Sequence, residues 1–250
     1  MAQTHTQSRY KIHLIDVSMR SMLWAVLVGL LLMGTAAAEL YEPAREPFVE
    51  IAGAGQPKAQ IVTPSRPTYL EEFAASELQS YLERVSGVRI PIVREGDSGR
   101  FSYSFLLGMT QRAVEAGTRP DDEMMGRDGF ELRSIPGGLI VRGRNDLGTV
   151  FGVYELLERY FEVRWFMPGE LGEHVPQSKT LRMGQVHLVF KPSFRVRWVG
   201  TGEWALRQRM NAYVKAGSRN VGINWKWHFH TFRILIPPEK YYAEHPEYYA

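Results

Sequence analysis

The chain has 250 residues, an ordinary apolar and aromatic content of 44% and 12%, a formal net charge of +3 and no cysteine. The missing cysteine excludes disulfides, zinc thiolate sites, lipid attachment at cysteine and thiol catalysis, so the fold is held by core burial alone. The small positive excess is spread along the sequence, which gives no footing for nucleic-acid binding.

Residues 23–38, LWAVLVGLLLMGTAAA, form an uncharged apolar run that follows Arg20 and closes on small residues. This is the three-part layout of a secretory signal peptide, and cleavage is expected near Ala38, delivering the protein to the periplasm or the extracellular space. A transmembrane span needs about 20 apolar residues. The run is shorter, so an uncleaved membrane anchor is the alternative, and contact with a membrane is expected only through this segment. Met19 is a second candidate start; residues 1–18 are polar and carry no pattern.

Along the mature chain, residues 60–63 read as a strand and 64–68 as a break. Thr68 and Glu71 then form a Thr-x-x-Glu capping box ahead of a helix over 69–85. Leu70, Phe73, Ala74, Leu78, Tyr81, Leu82 and Val85 trace its apolar stripe, and Gly87 is placed to stop it in the left-handed conformation. Short strands follow at 90–93 and 103–107. The most informative stretch is 128–168, DGFELRSIPGGLIVRGRNDLGTVFGVYELLERYFEVRWFMP. Runs at 130–135 and 139–141 flank Pro136, Gly137 and Gly138, the turn chemistry of a β-hairpin. Asn145 offers an N-cap, and Leu147, Val150, Phe151, Tyr154, Leu157 and Phe161 recur at helical spacing. Gly148 and Gly152, four apart, leave a bare patch on which strands can approach closely. The predicted fold class is α+β or α/β, a mixed β-sheet with helices packed on it, over residues 48–188.

Lys191, Pro192 and Ser193 form a linker-like break. A strand is expected at 194–199, with Arg195, Arg197 and Val199 on one face and Phe194, Val196 and Trp198 on the other. A helix at 204–214 and a strand at 221–229 would follow. Strand, helix, strand is how a (β/α)8 barrel starts, and such a barrel takes about 250 residues. Residues 192–250 are therefore expected to be the first βα units of a truncated barrel, in a chain that is incomplete.

These residues also carry a family resemblance. The helix AASELQSYLERVSGVRIPIV, the 128–168 stretch continuing into GE, and the later PSFRVRWVG and HTFRILIPPEKYYAEHPEYY resemble secreted bacterial glycoside hydrolases with an α-glucuronidase-type (glycoside hydrolase family 67) N-terminal domain. The similarity spans about 74–250 and includes relatives whose barrel is uncharacterised. It implies that 48–188 is an auxiliary domain, also similar to the non-catalytic second domain of β-hexosaminidases, and that a catalytic-type barrel follows. In hexosaminidase-like barrels an arginine near the end of the first strand contacts sugar hydroxyls, and Arg197 matches it. His230, Thr231 and Phe232 match a signature of the relatives with uncharacterised barrels. The resemblance places the catalytic carboxylates beyond Ala250.

Several side chains are candidates on their own chemistry. Arg197 presents a planar fork suited to paired hydroxyls or a uronate carboxylate, or to an ion pair with a carboxylate such as Glu203. Trp225, Trp227, His228 and His230 in NWKWHFH combine indole faces with hydrogen-bonding imidazoles, which suits sugar rings and equally suits a core. His228 and His230 share a strand face but lack a third ligand nearby, so no metal is expected. Glu203 is a weak acid/base candidate, and Asp121 and Asp122 read as solvated loop acids. The glycines at 53–55 and 143–148 match no complete phosphate-binding fingerprint and are explained by tight turns, with Arg142 and Arg144 facing solvent or paired with acids; no cofactor is expected. The expected function is the N-terminal part of an exported glycoside hydrolase acting on a carbohydrate substrate in polysaccharide breakdown, α-linked uronic acids being the substituents the resemblance implies. The alternatives are a non-catalytic carbohydrate-binding or structural module, or an inactive truncated gene product.

Overall fold

The structure, a computed structural model, describes residues 43–97, 99–118, 125–224 and 232–249. The apolar run at 23–38, the acids Asp121 and Asp122, and Trp225, Trp227, His228 and His230 lie outside the described residues. Among the described residues, no helix is long and apolar enough to cross a membrane. The elements below belong to the unit Ala44–Ala250.

Strand β1 (Arg45–Gly53) turns through Ala54 and Gly55, both at positive φ, into β2 (Gln56–Pro57), so the first glycine pair is a tight turn. The wholly buried β3 (Ala59–Thr63) leads to helix α1 (Tyr69–Ser86). The capping box is formed: the Glu71 amide donates to Thr68 Oγ1 at 3.3 Å, and the Thr68 amide donates to Glu71 Oε2 at 2.9 Å. Gly87 ends the helix at φ 72, its amide donating to the Glu83 carbonyl. Then come β4 (Ile92–Arg94), β5 (Tyr103–Leu107) and the short α2 (Gln111–Glu115). The hairpin is β6 (Phe130–Ile135) and β7 (Gly138–Gly143), followed by α3 (Asp146–Tyr160). Short β8 (Arg164–Trp165) and β9 (Glu173–His174) pair with each other, and β10 (Leu181–Gln185) and β11 (His187–Phe190) return to the sheets.

The main sheet has the order β11-β6-β7-β5-β3-β4. Its β7-β5-β3-β4 half is parallel, while β6 joins β7, and β11 joins β6, antiparallel. A second sheet, β10-β1-β2, closes one side of the core with Ile51, Leu181 and Met183. Alternate strand residues face opposite ways. Ile61, Phe105, Leu139 and Val141 meet α1 and α3 in the large core, and Val62, Leu106 and Ile140 meet Ala113 of α2 on the other face.

Helix α3 starts as expected, with the Gly148 amide donating to Asn145 Oδ1 at 2.9 Å. Val150, Phe151, Tyr154 and Leu157 are buried, each contributing about 1.5–3 kcal/mol of burial. A Cβ on Gly148 would lie 2.4 Å from the Gly129 carbonyl oxygen, so backbone meets backbone there; at Gly152 the nearest neighbour is a Val141 methyl at 3.2 Å, a looser fit. Arg142 is buried and pairs with Glu131 at 2.9 Å.

Beyond residue 191 three expectations need correction. Residues 194–199 form no strand, because the Arg197 amide and carbonyl bond the 211–212 backbone and side chain instead of a neighbouring strand. The helix expected at 204–214 is α4 (Gly202–Arg207), ended by Arg209 at φ 57. The chain then forms β12 (Val214–Ala216) and β13 (Arg219–Val221), an antiparallel pair; of the strand expected at 221–229, Val221 closes β13, residues 222–224 do not continue it, and 225–229 lie outside the described residues. Short α5 (Phe232–Leu235) and α6 (Pro238–Tyr241) follow. Among the described residues there is no closed barrel. Ala205, Leu206, Val214 and Ala216 pack into the same large core as α1 and α3.

Candidate functional site

The site forms where β6 begins, where β7 ends, and where the 194–223 segment returns. Asp128, just before β6, is 2% exposed. Arg197 grips it with both terminal nitrogens, Nη1 to Oδ1 at 3.2 Å and Nη2 to Oδ2 at 2.8 Å. This bidentate geometry is the strong form of a guanidinium-carboxylate contact. The remaining Arg197 donors serve the Arg209 carbonyl, through Nε, and the Phe194 carbonyl. Asn211, 1% exposed, completes the node. Its Nδ2 donates to Asp128 Oδ2 and the Arg195 carbonyl, both at 2.9 Å, and its Oδ1 accepts from the Arg197 amide at 2.7 Å. Gly222 is required beside it: at φ 79, a Cβ there would lie 2.3 Å from the Asn211 carbonyl oxygen.

The node walls a cavity of about 310 Å³ whose polar lining is Arg127, Asp128, Asn145, Asp146 and Asn211. It lies beyond the carboxyl end of β7, where open parallel sheets place their ligands. Asn145 is already committed, capping α3 and donating to the Arg127 carbonyl. Both Asp128 oxygens accept from Arg197 and Asn211, so this carboxylate positions the wall and is not set up to move a proton.

A second polar cluster joins α4 to the helices. Arg207 Nη1 donates to Glu173 at 2.9 Å, and its Nε lies 3.6 Å from Glu77. Tyr154 donates to Glu77 at 2.9 Å and Tyr81 to Glu173 at 3.0 Å, while the Trp165 indole donates to the Tyr81 hydroxyl at 2.8 Å. Burial pushes the Tyr81 phenol up to about 12, so it stays a donor. Burial also raises the Glu77 carboxyl, against the pull of Arg207 and Tyr154. At the other end of α4, Arg209 pairs with Glu155 at 2.6 Å and with Glu158.

Of the sequence candidates, Arg197 lies in the node, and its carboxylate partner is Asp128 rather than Glu203. Glu203 sits in the first turn of α4, 42% exposed at its side chain, 3.6 Å from Arg207. Trp227, His228 and His230 lie outside the described residues. Sequence reasoning missed Asp128, Asn211, Glu77 and Glu173. Glu77 left a signal, since it sits four residues from both Phe73 and Tyr81 on the apolar stripe of α1. Asn211 left none. Among the described residues, no group of three or more His, Asp or Glu side chains is arranged to hold a metal ion.

No curated protein matches this chain. Residues 167–250 match the family described as Domain of unknown function (DUF4838). Among solved structures, the chain is similar to a family GH115 4-O-methyl-α-glucuronidase with specificity for decorated arabinogalactans. Identity is 18% and the TM-score 0.51, over 67% of this chain and 25% of that one. A mutant Streptomyces plicatus β-hexosaminidase in complex with the product GlcNAc aligns at 15% identity and TM-score 0.39, over 62% and 25%. A Vibrio harveyi GH20 exo-β-N-acetylglucosaminidase aligns at 14% and 0.37, over 64% and 18%. The chain thus spans about a quarter or less of the length of these enzymes. The likeness to the glucuronidase shows the fold: a mixed α/β architecture of the kind found as one part of a glycoside hydrolase.

Proposed function

We propose that this chain is part of an exported carbohydrate-processing protein. Residues 48–188 form a non-catalytic auxiliary domain, and 192–250 open a catalytic-type barrel. The observation that carries this reading is the fold shared with a 4-O-methyl-α-glucuronidase over two thirds of the chain, in agreement with the sequence resemblance to α-glucuronidase-type N-terminal domains. The substrate class is α-linked uronic acid substituents of polysaccharides. In this reading the two parts are closely joined, since the Asp128-Arg197-Asn211 node and the burial of Ala205, Leu206, Val214 and Ala216 fasten the residues after the 191–193 break to the layered domain. Catalysis would need two carboxyl groups roughly 5–10 Å apart across the scissile bond. In this reading they lie on later barrel strands, with Trp227, His228 and His230 contacting sugar.

The test is release of 4-O-methylglucuronic acid from glucuronoxylan and from arabinogalactan oligosaccharides. It is run on the purified chain and on the polypeptide translated through any reading frame that continues past Ala250. Release by the longer protein is expected; absence of both binding and release contradicts the reading. N-terminal sequencing of the secreted protein, expected to start near residue 39, tests export.

A second reading, a carbohydrate-binding module without catalysis, is favoured by one observation. Asp128, Glu77 and Glu173 are each engaged by arginine, amide or phenol donors. Tight oligosaccharide binding by the longer protein with no release would establish it.

A further inference from the structure

Another cavity, of about 490 Å³, lies on the 192–195 side of the node. Its size is within the range of small-molecule sites. The β6-β7 register sets Phe130 against Gly143, so Arg127, shortly before β6, and Arg144, just after β7, come to the same end of the hairpin. Arg195 arrives there from the segment after the 191–193 break, and all three arginines line the cavity.

The backbone that carries these side chains is fixed by the node and by Asn145. The Arg127 carbonyl accepts from Asn145 Nδ2 at 3.0 Å, the Arg195 carbonyl from Asn211 Nδ2 at 2.9 Å, and the Phe194 carbonyl from Arg197 Nη1 at 3.0 Å. Arg144 is held twice, its amide donating to the Gly129 carbonyl at 3.0 Å and its Nη1 to the Gly126 carbonyl at 2.8 Å. Arg127 and Arg195 are exposed, and among the described residues neither guanidinium meets an acceptor. The frame is rigid and the two charged ends are left for solvent or a ligand.

The charge of the lining is one-sided. Among the described residues its single acid is Asp128, and both oxygens of that carboxylate are taken by Arg197 and Asn211. Arg197 cancels the Asp128 charge, so Arg127 and Arg195 have no counter-charge within the lining, and Arg144 adds a third positive charge. A recess lined by one sign of charge draws the opposite sign. A guanidinium holds a carboxylate through two parallel N–H bonds, a match of planes that an ammonium lacks. Phe194, 73% exposed, contributes an aromatic ring to the same lining. Its face suits the CH groups of a sugar ring next to that carboxylate.

We propose that this cavity binds an acidic sugar, with Arg127 and Arg195 donating to its carboxylate and Phe194 lying against its ring. The choice of an acidic sugar rests on the carbohydrate-processing reading above. The site holds a polysaccharide chain by its acidic substituent and brings no free acid or base to cleave it.

The experiment is ligand-observed NMR titration of the intact chain with methyl α-D-glucuronide and its neutral counterpart methyl α-D-glucopyranoside, with sodium acetate as a competing simple anion. Circular dichroism checks the fold of every variant, and all the substituted side chains are exposed. The glucuronide is expected to bind about tenfold more tightly than the glucopyranoside, and Arg127→Gln and Arg195→Gln should each weaken it by roughly tenfold. Phe194→Ala should weaken it by about threefold. Arg89→Gln, beyond the C-terminal end of α1, removes the same charge and should leave binding unchanged. The inference is overturned if the glucuronide binds no better than the glucopyranoside, if the folded Arg127 and Arg195 variants bind like wild type, if Arg89→Gln weakens binding as much as they do, or if acetate displaces the glucuronide at equal concentration. Release of 4-O-methylglucuronic acid by the longer protein without arginine-dependent binding sinks this inference and leaves the glycosidase reading standing. Arginine-dependent binding without release supports the inference alone.

Discussion

On one face of the six-stranded sheet, Ile61, Phe105, Leu139 and Val141 meet two long helices in a core that also takes in Trp165, Leu206 and Val214. On the other, Val62, Leu106 and Ile140 meet Ala113 of a five-residue helix, with Val93, Ala116 and Ile135 partly buried against them, and they share that face with Gln60, Ser104, Glu131 and Arg142. The first face supplies stability and receives the 194–223 segment. The second is thin in apolar contacts and rich in buried polar groups. One sheet thus has a face held by apolar burial and a face held largely by polar pairs.

Breaking the thick face should have the largest effect. Phe151→Ala, at 1% exposure, is expected to cost about 3–5 kcal/mol of unfolding free energy in denaturant titration. Leu106→Ala on the thin face should cost about 2 kcal/mol, the low end for such a truncation, because its small cluster can close over the gap. Equal losses would erase the distinction between the faces.

The joints on the thick face should show opposite responses to pH. Burial raises Glu77, so the folded chain holds a proton that the unfolded chain has released. Its contribution is present below the ordinary glutamate range and lost as pH rises through the raised folded value. For Glu155, burial raises the carboxyl, but Arg209 and Arg159 together outweigh it and lower the net value. Its contribution is present at neutral pH and lost as pH falls. Glu77→Gln should therefore flatten the stability loss on the alkaline side of the glutamate range, and Glu155→Gln the loss on the acid side. Thermal melts across pH 3–7, a range set by ordinary carboxyl titration, would read both, and matching slopes in the two variants would contradict the assignment.

The smallest effect belongs to the thin face. Gln60→Leu removes one hydrogen bond and one unmatched acceptor together, so stability should change by less than about 1 kcal/mol. A loss of several kcal/mol would mean that Gln60 is a structural bolt like Asn211.

Local chemistry made the thick face readable in advance. The Thr68-Glu71 box, Gly87, the Asn145 cap and the 3.6-residue stripes all act within a few residues of themselves, and each element formed where its signals stand. The site was less readable because its bonds are long-range. Asp128 and Arg197 are 69 residues apart, and Asn211 is 83 from Asp128. The alternation of Phe194, Val196 and Trp198 imitates a strand, yet the Arg197 backbone is satisfied by Asn211 and Ala212. A periodic pattern cannot reveal that a side-chain amide has taken the place of a partner strand. Arg197 was found as a guanidinium with work to do, and its partner was not.

The Asp128-Arg197 pair is the tie between the layered domain and the segment that follows it. A double-mutant cycle tests it directly, with the unfolding free energies of Asp128→Ala, Arg197→Ala and the double variant measured under one set of conditions. Single losses of about 3 kcal/mol and a coupling of about 2 kcal/mol are expected of such a tie, because each single change strands a buried charge that the double change removes. Additive losses, with coupling near zero, would contradict it.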